Sequence, residues 1–296
     1  MSMTEKRTVD VAINVYGKPY QTAITLLSLL KHSGQWIDKI YFIEERKQPA
    51  NTDLRFLYTL FGDRLIRFRP SFWLWTNPFK RRFLLKFSAF RHAIRYQYAW
   101  EKSDKQYLLI THNDVLYTDD LVGAYLQNIG DNIGIGKIGQ CWNCPAHTAN
   151  RCDGNRYWDY RPSKEELADL VRQYPGPRTT HFASEVERLS SWPTPECRLN
   201  EYTALINLKK ARPVTMPEGP AVPFGAYDGL DVATRWFWDV SNKGYRTANF
   251  DFDPYAQHDW IGQMNSGHAA LFDDKLYART EAIAREQLRT EFGIDA

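Results

Sequence analysis

The chain has 296 residues, and its 38 Lys and Arg against 35 Asp and Glu give a formal net charge of +3. Hydrophobic residues make up 43% and charged residues 25%, which is ordinary for a packed globular protein. This composition excludes general disorder, a collagen-like repeat and a small disulfide scaffold. At roughly 150 residues per domain, the length predicts one large domain or two closely associated halves.

The first half alternates short β-branched runs with helical patterns. We predict strands over residues 9–15, 39–43, 65–68 and 107–110, and helices over 20–32, 52–61 and 79–100. Aromatic residues at helical spacing in the third helix predict a stripe that faces the core. Strands that alternate with helices indicate an α/β fold with a mostly parallel sheet and helices on both faces.

The second half changes character. Residues 141–199 are rich in Pro, Cys, Trp and Arg, with one clear helix over 164–174 that begins after the capping residue Ser163. A strand over 202–208 follows, then helices over 230–242 and 274–292. We therefore divide the chain into halves, 1–140 and 141–296, with a Cys-rich insertion over 141–199.

Basic and aromatic residues are concentrated in one stretch. Residues 64–100 contain nine basic side chains, eleven aromatic ones and no acidic one, so the rest of the chain is net negative. The main interpretation is a core stripe with arginines on the outer face. A membrane-surface patch is the second, because Phe72, Trp73 and Trp75 precede the basic run 80–82. The third is nucleic-acid binding, which the mild sequence pI of about 8.5 does not favour.

Targeting signals are lacking in the sequence itself. Residues 1–10 are polar, and no apolar run approaches the ~18–20 residues of a spanning helix. We expect a cytoplasmic protein, with association to the inner membrane face as a further option.

Polar residues follow the predicted strands at the edge where parallel sheets bind ligands. Glu44 and Glu45 end the second strand, and Thr111-His112-Asn113-Asp114 follows the strand over 107–110. Asp228, Asp231 and His258 come later in the chain. Carboxylates and imidazoles at strand ends can hold a divalent cation against a diphosphate, and a carboxylate near a helix start can act as a general base.

The order of these features resembles the nucleotide-sugar glycosyltransferases of the GT-A fold, in particular the inverting family 2. The similar segments cover nearly the whole chain: Val11-Ala12-Ile13-Asn14-Val15-Tyr16-Gly17-Lys18-Pro19, Leu26-Leu27-Ser28-Leu29-Leu30, Ser88-Ala89-Phe90-Arg91-His92-Ala93, Leu108 to Val115 and Asp228-Gly229-Leu230-Asp231 with Arg235 and Lys243-Gly244-Tyr245. The chain departs from the family pattern at three places. The helix that ends at Gly244 is about two residues longer than usual. His112 replaces the first Asp of the D-x-D motif, and Gly229 stands where the family places its base.

The resemblance implies transfer of a sugar, with a UDP-sugar as the favoured donor, to an acceptor hydroxyl with inversion. The setting it implies is bacterial surface glycan or glycolipid synthesis. Half 1–140 would bind the donor and half 141–296 the acceptor. The implied residue roles are Mn²⁺ or Mg²⁺ ligation by Asp114, His112 and His258, general-base catalysis by Asp231 or Asp228, and donor binding by Glu44, Glu45, Lys86, Arg91 and Asn113.

The four cysteines suggest a second metal. Cys141 and Cys144 form a C-x-x-C pair, Cys152 follows eight residues later, and Cys197 is distant. Four thiolates can complete a tetrahedral Zn²⁺ site. We therefore predict a zinc-clipped insertion, in which a structural Zn²⁺ ion cross-links the loops of residues 141–199. Buried thiols without metal are the next interpretation, and disulfides the third.

Each of these residues also has a purely structural interpretation. Asp114 could cap a turn, His112 and His258 could bond only backbone, and Asp231 could merely favour a helix N-terminus by about 0.3–1 kcal/mol. A sugar nucleotidylyltransferase would need a Gly-rich loop after the first strand, and the loop here has only Gly17. The remaining alternative function is a zinc-stabilised, non-enzymatic nucleic-acid-binding protein.

Overall fold

A computed structural model describes residues 8–74, 82–176, 196–226, 231–261 and 272–295. The first half contains β1 (Val9–Val15), α1 (Pro19–Ser33), β2 (Ile37–Glu44), α2 (Arg55–Phe61), β3 (Leu65–Phe68), α3 (Ser88–Arg91), α4 (Gln97–Lys102), β4 (Tyr107–Thr111), β5 (Val115–Tyr117), α5 (Leu121–Asn128) and β6 (Gly134–Ile138). The second half contains α6 (Pro145–Thr148), α7 (Lys164–Gln173), β7 (Leu199–Asn207), α8 (Leu208–Ala211), α9 (Thr234–Ser241), β8 (Thr247–Asn249), β9 (Ala256–His258) and α10 (Asp274–Phe292).

Seven strands form one central sheet in the order β3-β2-β1-β4-β7-β6-β8. The four strands β3, β2, β1 and β4 run parallel to one another. β7 runs antiparallel to both β4 and β6, and β8 is again parallel to β6. The prediction of a mostly parallel sheet is thus confirmed. A small second sheet pairs β5 with β9.

Helices cover both faces of the central sheet, as predicted. One core cluster joins the sheet to α1, α2, α5 and α10, and the other joins it to α4, α7 and α9. Neighbouring residues of β1 show the two faces, since Ile13 belongs to the first cluster and Ala12 to the second. Burial on both faces explains why most residues of this strand are apolar.

The long helix predicted over 79–100 is wrong for its described part. Residues 82–86 form a 3-10 helix, and the chain then divides into the short helices α3 and α4. Tyr96 has φ of 66°, and Arg95 forms a β-bridge with Gly225, so a tertiary contact interrupts the helical pattern. Phe83 and Phe87 are 57% and 60% exposed, so the predicted core stripe is wrong at these two positions. Ile94 and Tyr98, from the same predicted stripe, do pack in the core.

The C-terminal helix α10 packs on α1. Glu281 accepts hydrogen bonds from the Tyr20 backbone N–H and the Gln21 side chain, both at 2.9 Å. The Tyr277 hydroxyl accepts from the Lys18 backbone N–H at 2.9 Å. Residues 274–292 therefore position the first turn of α1 and the loop before it. Within the described ranges, we find no helix long and apolar enough to span a membrane.

Candidate active site

Two histidines and one aspartate meet at the carboxyl end of β4. Asp114 lies between β4 and β5, and the pairing of β5 with β9 places His258 opposite Val115, beside Asp114. The Asp114 Oδ1 atom is 3.5 Å from His258 Nε2 and 3.8 Å from His112 Nδ1. Across the part of the chain that the structure describes, this is the one group whose three ligand atoms lie within 4.8 Å of one another.

Lys18 neutralises the other oxygen of Asp114. Its Nζ atom lies 2.6 Å from Asp114 Oδ2, and both side chains are nearly fully buried. Lys18 occupies the loop between β1 and α1 in a left-handed conformation, with φ of 54°. Burial opposes ionisation of Asp114, yet Lys18 and the two histidines hold its pKa well below the usual range. The carboxylate is therefore charged at neutral pH.

Two buried atoms of this group lack a hydrogen-bond partner among the described residues, namely Asp114 Oδ1 and His112 Nε2. Buried polar atoms are nearly always paired, so an orphaned carboxylate oxygen that faces two imidazoles indicates a missing ligand. One ionised oxygen and two neutral ring nitrogens are ligands that Mn²⁺ accepts. These residues thus fit a divalent cation.

A buried glutamate and arginine lie behind His112. Glu201 Oε1 is 3.6 Å from His112 Nε2, and Glu201 Oε2 is 3.6 Å from Arg198 Nε. Burial raises the pKa of Glu201, but Arg198 and His112 outweigh it and leave that pKa below its usual range. Burial likewise opposes the Arg198 charge, yet Glu201 and Asp231 raise the pKa of Arg198.

Asp231 lies just before α9 and contacts the same arginine. Arg198 Nη1 donates to Asp231 Oδ2 at 2.5 Å, and the Asp231 side chain is 28% exposed. Asp231 is thus held by a buried cation while it stays accessible to a substrate. Asp228, the other predicted base, lies outside the described residues.

Glu44 and Glu45 point to opposite sides of the end of β2. Glu45 accepts from Asn14 Nδ2 at 2.6 Å and from Trp73 Nε1 at 2.8 Å, and Arg95 Nε lies 3.7 Å away. This group is at the same sheet edge as Asp114. Glu44 instead accepts from the Tyr58 hydroxyl at 2.6 Å and forms an ion pair with Arg67.

The other predicted donor-binding residues have different surroundings. Asn113 donates to Thr22 Oγ1 at 3.2 Å and so joins the cation group to α1. Arg91 is buried, where it forms two hydrogen bonds with Glu101 and donates to the carbonyl groups of residues 85 and 86. Lys86 is exposed to solvent.

All four cysteines lie in the described ranges, and no disulfide joins any two of them. They line one small cavity together with His147, Asp153 and Glu196. Burial, with the nearby thiols, raises the pKa of Cys152 to about 12. No three of these sulfurs lie within 4.8 Å of one another, so the structure does not show the predicted zinc-clipped insertion.

Sequence reasoning missed Lys18, Arg198 and Glu201. Lys18 lies in Gly17-Lys18-Pro19, which we interpreted as the end of the first strand and as part of the family-like opening loop, without a role for the lysine. Arg198 and Glu201 border a strand whose start we placed at Tyr202, whereas β7 begins at Leu199. Charged residues inside a buried strand were the available signal, because such residues are rarely buried unless paired.

No protein-family model matches the sequence, and no curated protein matches it either. Among solved structures, a mannosyltransferase from Pyrobaculum calidifontis in complex with GDP-Man and Mn²⁺ has a TM-score of 0.44 and 11% identity, covering 98% of this chain and 77% of that one. S. aureus TarS in complex with UDP-GlcNAc gives 0.42 and 9%, covering 94% and 66%. The galactosyltransferase LgtC gives 0.37 and 13%, covering 82% and 73%. The similar structures are glycosyltransferases by name, but at these TM-scores we base the function on this chain's own site residues.

Proposed function

We propose that this protein is a glycosyltransferase that moves a sugar from a nucleotide diphosphate sugar to an acceptor hydroxyl. The observation that carries the proposal is the group of His112, Asp114 and His258 at the carboxyl end of β4, with an orphaned carboxylate oxygen facing two imidazoles. Open α/β sheets bind ligands at this edge. Glu45 and Asn14 lie at the same edge, where β1 and β2 end.

The divalent cation, Mn²⁺ or Mg²⁺, would be held by His112, Asp114 and His258. When bound, it neutralises charge on the leaving diphosphate. Lys18 keeps Asp114 ionised and in place. Glu45 offers carboxylate oxygens to a ribose hydroxyl or base N–H group of the donor, and Arg95 beside it offers a cation to the phosphates. The exposed Lys86 is a further candidate for a phosphate contact, whereas Arg91 is committed to Glu101.

Asp231 is the proposed general base, with Asp228 as the second candidate. The base removes the proton of the acceptor hydroxyl while that oxygen forms a bond to the anomeric carbon and the bond to the diphosphate breaks. The Arg198 guanidinium donates to Asp231 Oδ2, and the Val232 backbone N–H donates to Oδ1 at 2.9 Å. These two contacts orient the carboxylate.

The finer assignments follow the sequence resemblance. We propose a UDP-sugar donor, inversion at the anomeric carbon, and a bacterial surface glycan or glycolipid as acceptor. Half 1–140 would bind the donor and half 141–296 the acceptor. Exposed Phe72, Phe83 and Phe87, with Lys86 among them in the sequence, support contact with a membrane surface that carries a glycolipid.

We further propose that Cys141, Cys144, Cys152 and Cys197 bind a structural zinc ion. Their support is the shared cavity, to which three chain segments contribute thiols. Buried thiols with raised pKa values stay protonated alone, but a bound Zn²⁺ replaces those protons. Zinc binding would draw the four sulfurs together by a small movement of the loop over 141–152.

A thermal-shift screen tests the function. The purified protein is heated with UDP-, GDP-, CDP- and dTDP-sugars, each with and without Mn²⁺, and GDP-mannose and UDP-GlcNAc are included. We expect stabilisation by one nucleotide class, and only when Mn²⁺ is present. Failure of every donor, combined with tight binding of RNA or DNA that weakens steeply with salt, would instead establish the nucleic-acid-binding alternative.

A further inference from the structure

His112 presents its two ring nitrogens to two different carboxylates. Nδ1 lies 3.8 Å from Asp114 Oδ1, in the group that fits a cation. Nε2 lies 3.6 Å from Glu201 Oε1, on the opposite side of the ring. The main chain that carries this ring is also fixed, because the His112 backbone N–H donates to the Tyr202 carbonyl at 3.0 Å. Each nitrogen therefore has one acidic neighbour.

A row of buried polar atoms without hydrogen-bond partners among the described residues runs from the His112 ring to Arg198. His112 Nε2, Glu201 Oε2 and Arg198 Nε are all buried and have no hydrogen-bond partner in the described part of the chain. The distances of 3.6 Å along this row exceed a hydrogen bond by about half an ångström. Hydrogen bonds along this row would satisfy all three atoms.

We propose that Glu201 is a positioning residue that accepts the Nε2 proton of His112 and thereby presents the bare Nδ1 nitrogen to the divalent cation. This inference rests on the proposed cation site. A histidine ligand needs its second nitrogen protonated and held, and carboxylates commonly hold it in metal sites. Arg198 fixes the carboxylate of Glu201, just as it fixes that of Asp231.

Direct ligation by Glu201 fits the structure less well. The group of potential metal ligands consists of His112, Asp114 and His258. No oxygen of Glu201 lies within 4.8 Å of all their ligand atoms. The Arg198 guanidinium also lies 3.6 Å from Glu201 Oε2. A metal ion bound to that oxygen would therefore lie close to a positive charge. Glu201 thus acts through the imidazole.

The test is a Mn²⁺ titration followed by the EPR signal of free Mn²⁺. Wild type is compared with Glu201→Gln and with Glu101→Gln. Glu101 is the control, because it is a largely buried carboxylate, with a side chain 14% exposed, beside one arginine and one histidine, Arg91 and His92. We expect about 10–100-fold weaker Mn²⁺ affinity for Glu201→Gln and unchanged affinity for Glu101→Gln. Thermal melts without metal check that both variants are folded.

A second measurement reads the His112 proton directly. In ¹H–¹⁵N spectra of metal-free protein, we expect the Nε2-protonated tautomer in wild type and a mixture in Glu201→Gln. Equal Mn²⁺ affinities with an unchanged tautomer would overturn the inference and leave the glycosyltransferase proposal intact. If Glu201→Gln weakens Mn²⁺ binding but the wild-type protein transfers no sugar, the inference is supported and the proposed function is rejected. A wild type that binds no Mn²⁺ overturns the inference, and the donor screen then judges the function separately.

Discussion

The Lys18 ammonium and the Asp114 carboxylate form a buried ion pair with a separation of 2.6 Å. The pair uses only Oδ2 of the aspartate, and the free Oδ1 faces His112 and His258. A cation of the chain itself therefore shares the carboxylate with the proposed metal ion. Removal of Lys18 would leave the negative charge of Asp114 uncompensated in a dry environment.

We predict that Lys18→Met lowers the free energy of unfolding by about 3–5 kcal/mol in metal-free protein, the cost of breaking a buried pair. Added Mn²⁺ should recover more stability in this variant than in wild type, since the ion replaces the lost charge. Urea unfolding with and without Mn²⁺ measures both effects. Lys105→Met is the control, because its pair with Asp38 is more exposed and should be worth at most about 1 kcal/mol. Equal losses for the two variants would contradict the role of burial.

Asp114→Asn should abolish cation binding without unfolding the protein. The amide keeps the shape of the side chain but removes the charge, so the loss of Mn²⁺ affinity should exceed the about 10–100-fold typical of a residue behind a ligand. Equilibrium dialysis with Mn²⁺ and a sugar-transfer assay are the measurements. Asp63→Asn, an exposed site at the other edge of the sheet, serves as control. Full Mn²⁺-dependent transfer by Asp114→Asn would reject the site.

Asp231→Asn should reduce kcat by about 10²–10⁴-fold while Mn²⁺ affinity stays unchanged, because the variant loses a proton acceptor and no metal ligand. Steady-state kinetics with saturating donor give kcat. Asp239→Asn is a matched control, since Asp239 also pairs with an arginine, Arg235, at 3.0 Å. If the loss of stability accounts for the loss of activity in both variants, Asp231 has a structural role and Asp228 becomes the candidate base.

Glu281 predicts a measurable pH dependence of stability. Burial raises its pKa from 4.5 to about 7. The folded protein then binds more protons at this group than the unfolded chain between about pH 4.5 and 7, so the stability it contributes falls as the pH rises through that window. Glu281→Gln should remove a fall of up to about 3 kcal/mol. Urea unfolding at pH 5, 6, 7 and 8 compares wild type with this variant.

The control for that series is Glu286→Gln on the same helix, an exposed residue that pairs with Arg289. It should run parallel to wild type at every pH. A Glu281→Gln profile that is also parallel to wild type would show that the carboxyl titrates normally.

The zinc proposal predicts about one Zn²⁺ per chain in freshly purified protein. Chelation should expose thiols to reagent and destabilise the fold, and Cys197→Ser should lower the bound zinc. Elemental analysis and a thiol-titration assay provide the measurements, with Co²⁺ substitution as an optical test of thiolate ligation. Metal-free protein with four reactive thiols and an unchanged melting temperature would reject the site.

Local sequence patterns predicted the central strand β1 well because it is buried on both faces. The predicted bounds 9–15 and 65–68 are those of β1 and of the partly exposed edge strand β3, and the final helix begins and ends as predicted. The failure over 79–100 has a tertiary cause. Its aromatic spacing is helical, but the β-bridge between Arg95 and Gly225 and the left-handed Tyr96 divide the segment. Propensity is a weak prior against such contacts.

Only the site residues that directly follow a strand recognisable in the sequence could be predicted. Asp114 and His112 come directly after β4, so sequence placed them at the ligand-binding edge. The approach of His258 depends on the pairing of β5 with β9, two strands of three residues that carry little pattern. Lys18 and Glu201 required the loop conformation and the true start of β7, which are properties of the folded chain.

The contact of the last helix with Lys18 has a consequence for synthesis on the ribosome. Tyr277 holds the Lys18 backbone N–H, and Glu281 holds the next turn, from positions about 260 residues away in sequence. Strands β1 to β4 are synthesised well before α10. Until α10 has been made and has docked on α1, the Lys18 loop lacks these anchors, so the cation site should form late in folding.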